Sequence, residues 1–176
     1  MIKNFLYLAI AVFSLTSCSS EQSEKTAQNT SKQQTDNFQT TIPTAKNNPL
    51  LIADFNSGKK PNKLDGDFGS WDRDPNDYTQ TATDSFISAI KHGKEGFSLQ
   101  IYYDVDSPNP AFNGFWMKLN NLSASNYTAL SFWIKGDKMR GFTKIIKTEL
   151  KNSKGETGTF YIDNISDKWQ EIIIPL

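Results

Sequence analysis

FSLQIYYDVDSPNPAFNGFWMKLNNLSASNYTALSFWIK, residues 97–135, holds three apolar-alternating runs in a row, each closed by turn residues. Strand side chains alternate between faces with period two. In 98–105 that rule puts Leu99, Ile101, Tyr103 and Val105 on one face and Ser98, Gln100, Tyr102 and Asp104 on the other. In 115–119 it separates Phe115, Met117 and Leu119 from Trp116 and Lys118. In 130–135 it separates Leu130, Phe132 and Ile134 from Ser131, Trp133 and Lys135. Each run thus pairs an apolar face with one that mixes aromatic, amide and charged groups. The second face is the one to examine for function.

Working outward, the domain around this stretch reads as all-β. The chain has 176 residues, twelve Phe, six Tyr and four Trp, and little helical periodicity, which is the composition of strands. Residues 50–55 read as a first strand, closed by Asn56-Ser57-Gly58. The stretch 61–80 is dense in Gly, Asp, Asn and Pro around Phe68 and Trp71, and reads as an ordered loop or short strands with turns. A weak strand over 85–90 leads to the Gly93 and Gly96 turn, 143–150 and 157–163 form a hairpin, and 169–175 is a last strand. Roughly eight short strands separated by such turns argue an antiparallel β-sandwich or jelly roll. Ending on Ile172-Ile173-Ile174-Pro175-Leu176, an apolar strand with no closing turn, favours a fragment of a longer chain.

Charge and cysteine content exclude several classes. A net charge of +0 lacks the basic excess of a nucleic-acid binder. The single cysteine, Cys18, leaves no internal disulfide and no Cys-based zinc site. The single histidine, His92, sits in the turn-like KHGKEG run and reads as a solvated loop residue, so a Ser–His–Asp triad is not expected.

Ahead of the domain the sequence changes texture. Lys3 and the apolar run 5–15 read as a signal peptide over 1–17, too short to span a bilayer comfortably. Leu15-Thr16-Ser17-Cys18 resembles the bacterial lipobox. That resemblance implies cleavage before Cys18, lipid on its sulfur and amine, and a location in the bacterial cell envelope. Several acyl chains, at about 0.8 kcal/mol per buried methylene, anchor stably. Residues 18–48 are rich in Ser, Gln, Thr, Lys and Asn and bury too little apolar surface to offset ordering, so they read as a lipidated, disordered tether. About 30 such residues reach roughly 30 Å from the membrane. The sandwich then occupies 49–176.

Several blocks stand out in combination: Ile52-Ala53-Asp54-Phe55, Phe68-Gly69-Ser70-Trp71-Asp72, Gly96 to Ile101, Asn113 to Met117, Tyr127 to Asp137, and Asp167-Lys168-Trp169-Gln170 leading into Ile174-Pro175-Leu176. Together they resemble the galactose-binding-like jelly-roll superfamily, nearest carbohydrate-binding module family 11 and the complex I intermediate-associated protein 30 domain. The resemblance covers about residues 50–176 and is carried by the combination rather than by any one block. It implies a sandwich that binds polysaccharide and often holds a structural calcium beside its first strand, where Asp54 and Asn56 match the first half of the site. Asp65, Asp67, Asp72, Asp74 and Asp77 supply further oxygens, without the spacing of an EF-hand loop, and a solvated turn cluster explains them more simply.

Sugars present apolar C–H faces and many hydroxyls, so a site for them pairs flat aromatic rings with amide, carboxylate and basic groups. Gln100, Tyr102, Asp104, Trp116, Lys118 and Trp133 form that mixture on the non-core faces, and Lys147, Glu149 and Tyr161 join them if Ile146, Thr148 and Leu150 face inward. Against this stands packing of Trp116 and Trp133 under loops, and a mere ion pair at Lys147 and Glu149. Glycosidases need two carboxyl groups flanking the bond. Asp104 and Glu149 carry no sign of such a pair, and the chain reads as non-catalytic, binding a polysaccharide or oligosaccharide. Two other classes stay open: a protein-binding, assembly or chaperone-like domain, and a purely structural surface lipoprotein with no ligand; within the carbohydrate reading, the binding module of a polysaccharide-degrading, cellulase-type system is the alternative. The anchor has a direct test: palmitate labels the parent protein and not Cys18→Ala, and equal labelling of both overturns the lipobox reading.

Overall fold

The structure is a computed structural model; it describes residues 49–176 throughout, together with the strand positions of residues 4–9 and 11–13. Cys18 and the tether lie outside the described residues. The described residues contain strands and turns and no helix.

In chain order the strands are β1 (Asn4–Ala9), β2 (Ala11–Phe13), β3 (Leu50–Ala53), β4 (Phe68–Asp72), β5 (Thr81–Ile87), β6 (Ser98–Asp104), β7 (Asn113–Met117), β8 (Ala129–Gly136), β9 (Ile146–Lys151), β10 (Thr157–Ile162) and β11 (Gln170–Pro175). All pairings are antiparallel. One sheet has five strands in the order β11-β8-β1-β6-β5, and the remaining strands pair as the ribbons β9–β10, β2–β3 and β4–β7.

Alternation fixes the sidedness of these strands. Leu99 and Ile101 on β6, Leu130 and Ile134 on β8 and Ile174 on β11 are buried on one face of the large sheet. Ile52 and Ala53 on β3 and Phe68 on β4 cover that face from the second layer, with Phe55 beside them. The result is an all-β sandwich with a single apolar core. Val105 departs from the expected inward set: β6 ends at Asp104, and Val105 is exposed beyond it.

Phe68 is the pivot of the core. Its ring lies 5.6 Å from Phe55, 6.2 Å from Phe86 on β5 and 5.9 Å from Phe115 on β7. Such pairs contribute about 0.5–1.5 kcal/mol each beyond the area they bury. Polar bonds repeat the same connections. The Ser70 N–H donates to Asp84 Oδ1 on β5 at 2.7 Å. The Asn113 side-chain amide donates to the carbonyls of Thr81 and Asp104, tying β7 to the edge of the large sheet.

The loop between β3 and β4 is built around buried Asn62. Its carbonyl oxygen accepts from the N–H groups of Leu64 and Gly66, and its amide donates to the Lys118 carbonyl at 2.9 Å. Gly66 is required here, since a Cβ would lie 2.0 Å from the Lys118 carbonyl oxygen.

Removing the pivot has a large expected effect. Phe68→Ala leaves a ring-sized cavity and costs about 3–5 kcal/mol, a large part of the 5–15 kcal/mol of an ordinary domain. Urea unfolding of parent and variant measures it, and a loss under about 1 kcal/mol would contradict the placement of Phe68.

Candidate functional site

The outward face of the five-stranded sheet carries polar side chains in register. Thr83 on β5 lies opposite Tyr102 on β6. In the next row Ser85 lies opposite Gln100, and position 7 of β1 connects Gln100 to Lys135 on β8. One row further, Trp133 on β8 lies opposite Glu171 on β11. Successive rows are two residues apart, about 6.8 Å. The surface therefore runs from a phenol, through a band of hydroxyl, amide and ammonium, to an indole beside a carboxylate. Ser85 Oγ lies 3.4 Å from Gln100 Oε1, and Thr83 and Ser85 are exposed.

At the indole end, His92 stacks on Trp133 with ring centroids 4.0 Å apart and planes 19° from parallel. Trp169 meets the histidine edge-on at 5.8 Å. His92 is thus part of an aromatic stack rather than the solvated loop residue expected from its glycine and lysine neighbours. The segment leading to it is held by buried Ser98, whose hydroxyl donates to the Ile90 carbonyl. Asp104 is the other departure on this strand. It is buried at the end of β6, where its carboxylate accepts from the Asp106 N–H at 2.9 Å. Tyr103, on the inward side, is pushed above its ordinary pKa by burial, while its oxygen accepts the Thr143 N–H at 2.6 Å.

The remaining candidates lie elsewhere. Trp116 pairs across to Gly69 on the β4–β7 ribbon, on the opposite side from Phe68, Phe115 and Met117. Lys118 sits with its ammonium 5.8 Å from the Trp116 ring centre. On the β9–β10 hairpin Tyr161 lies opposite Lys147, and Glu149 shares their face, while buried Ile162 pairs with Ile146 on the other face. Lys147 and Glu149 form an exposed ion pair; their mutual hydrogen bond raises the lysine pKa and lowers the glutamate's. The candidates thus divide into a sheet-face group of Gln100, Tyr102 and Trp133, a ribbon group of Trp116 and Lys118, and a hairpin group of Lys147, Glu149 and Tyr161.

Of the two residues matched to a calcium site, Asp54 is engaged with other groups. Asp54 Oδ2 lies 3.1 Å from the Lys63 ammonium, and its Oδ1 accepts the Asn56 N–H. Among the described residues no three His, Cys, Asp or Glu side chains converge in a metal-binding arrangement. A lysine ammonium therefore partners Asp54 at the position where the resemblance implies a calcium ion. In the Asp-rich loop Asp67, Asp74 and Asp77 bond to neighbouring protein groups. Asp67 pairs with Lys60 at 3.5 Å, and Asp74 accepts the Asn76 N–H.

No family model matches this chain, and no curated protein and no solved structure is detectably similar to it.

Asp77 is the best-satisfied of these acids, accepting from Thr79, Gln80, Ser107 and Asn109. These donors, Thr79 foremost, hold its carboxyl well below the usual carboxylate range. A depressed folded-state pKa stabilises the fold above the unfolded value of about 3.9, and the contribution is lost as pH falls through the folded value. The carboxyl resonance of Asp77 is accordingly expected to titrate well below the usual carboxylate range. Asp77→Asn is expected to reduce stability near neutral pH, with the deficit shrinking toward strongly acid pH. A deficit that does not change with pH would overturn this role.

Proposed function

We propose that the protein binds carbohydrate without cleaving it, through the outward face of its five-stranded sheet. The observation that carries the proposal is the order of rows on that face: Tyr102, then Ser85, Gln100 and Lys135, then Trp133 beside Glu171. A sugar chain needs aromatic surface for its C–H faces and paired donors and acceptors for its hydroxyls. Here the Tyr102 ring lies one row from the paired polar groups of Ser85, Gln100 and Lys135, and the Trp133 indole, with His92 stacked on one of its faces, closes the far end of the surface. The resemblance of residues 50–176 to galactose-binding-like jelly rolls supports the same reading, with a polysaccharide such as a β-glucan as ligand. The carboxylates first considered for hydrolysis favour binding alone: Asp104 is buried and bonded to the Asp106 amide, and Glu149 is paired with Lys147.

The proposal includes the location. Lipid on Cys18 would fix the chain to the bacterial envelope, and residues 19–48 would let the domain reach a glycan some tens of ångströms away. Cleavage before Cys18 would also remove β1 and β2, so in the processed protein the face would be carried by the β5–β6 and β8–β11 pairs.

Affinity electrophoresis through gels containing β-glucan and other plant or algal polysaccharides tests the binding. The parent is expected to be retarded by at least one of them. Tyr102→Ala and Gln100→Ala are each expected to weaken retention several-fold, since each removes one stacking or paired contact of about 1 kcal/mol or more. Absence of retardation by any glycan, or variants retained as strongly as the parent, would overturn the reading. Capture of a protein partner in place of glycan would favour an assembly role for the same face.

A further inference from the structure

The β4–β7 ribbon carries a second aromatic surface, directed away from the core on the opposite side of the sandwich. Phe68, Phe115 and Met117 point inward from this ribbon, so Trp71 and Trp116 point outward. Each tryptophan faces a glycine across the strand pair: Trp71 opposite Gly114, and Trp116 opposite Gly69. The glycines make room for the rings to lie down. A Cβ on Gly114 would stand 3.0–3.1 Å from three atoms of the Trp71 indole, and one on Gly69 would stand 3.6 Å from Trp116. Aromatic rings laid over cross-strand glycines are held by the backbone beneath them. Trp71 remains 41% exposed and Trp116 36%.

The surroundings are polar. Lys118 lies over the edge of Trp116, and Lys60, paired with Asp67, stands beside Gly69. At the other end Arg73 sits 5.5 Å from the Phe112 ring, itself edge-on to Trp71 at 5.8 Å. The exposed aromatic area here is roughly 200–300 Å², taking about 150–250 Å² for a whole ring side chain. A stable protein interface buries about 800 Å² per partner, of which these rings would supply well under half, within surroundings of lysine and arginine. The patch has the size of a couple of sugar rings. Diagonal positions on paired strands are about 7–8 Å apart at the backbone, which places two indoles under neighbouring residues of one glycan.

We propose that Trp71 and Trp116 form a second sugar-binding platform, which takes pyranose rings stacked on the indoles with Lys118 bonding their hydroxyls. The domain then binds glycan on both outer faces. This inference rests on the carbohydrate reading of the sheet face, and adds bivalency to it. Two platforms on opposite faces engage separate polysaccharide chains, so the protein cross-links them, and each added attachment raises overall retention by avidity.

The full chain is titrated with an oligosaccharide of the glycan that retards it in gels. Two equivalents per chain are expected in the parent and one in Trp71→Ala/Trp116→Ala, whereas Tyr102→Ala retains the ribbon site. The parent is also expected to cross-link and precipitate the soluble polysaccharide, and the tryptophan variant is not. A single equivalent in the parent, unaffected by the tryptophan substitutions and lost in Tyr102→Ala, overturns the second platform and leaves the first. Absence of binding by every form overturns both. Oxidation of the parent by N-bromosuccinimide, read by peptide mass, needs no altered fold. Saturating oligosaccharide is expected to protect Trp71 and Trp116, and their equal oxidation with and without sugar overturns the proposal.

Discussion

The fold depends on Phe68 being buried among three other phenylalanine rings. Phe55 follows β3, Phe86 belongs to β5 and Phe115 to β7, so this contact gathers both layers of the sandwich. Burial of apolar surface is non-directional and would not by itself fix how β4 lies on the large sheet. The direction comes from hydrogen bonds around the rings: Ser70 to Asp84, Asn113 to two carbonyls, and Asn62 to the exit of β7. The packing supplies the energy, and the polar bonds set the orientation. With β4 and β7 fixed, the outward positions of both layers follow by alternation alone.

Period-two alternation made much of this legible in the sequence. Leu99 and Ile101, Leu130 and Ile134, and Phe115 and Met117 each fall on the inward side, and Trp116, Trp133 and Lys135 on the outward side. The hairpin also has Ile146 inward and Lys147 outward. β4 was harder to see, because Gly69 and Asp72 dilute a strand of only five residues. β5 begins earlier than its apolar residues suggest, since Thr81 to Ser85 is mostly polar on an edge strand with one face in solvent. Edge strands tolerate such residues because only one side of their backbone is paired.

The candidate site was legible by face and illegible by layer. Alternation within a strand says which side chains share a face of that strand. It does not say which sheet the strand joins. Residues 113–117 follow 98–104 in the chain, yet pair with β4 rather than with β6, and this sends Trp116 to the far side from Tyr102. His92 illustrates the same limit. Its neighbours Gly93 and Lys94 are exposed, and its stacking partner Trp133 and edge-on partner Trp169 come from distant parts of the chain. The glycine pattern under Trp71 and Trp116 was present in the sequence as well, but its meaning requires the cross-strand register.

One feature of the large sheet joins folding to the order of the chain. Residues 4–9 lie between β6 and β8, with strand pairing on both sides. Both partners come from far along the chain, so the middle of the sheet closes only after long loops have been drawn in, at the entropic cost of non-local pairing. If residues 4–9 were withdrawn, β6 and β8 would face each other across a gap two strand spacings wide, about 9.6 Å. Each would then present a row of unpaired amides and carbonyls, which an extended strand of any origin would satisfy.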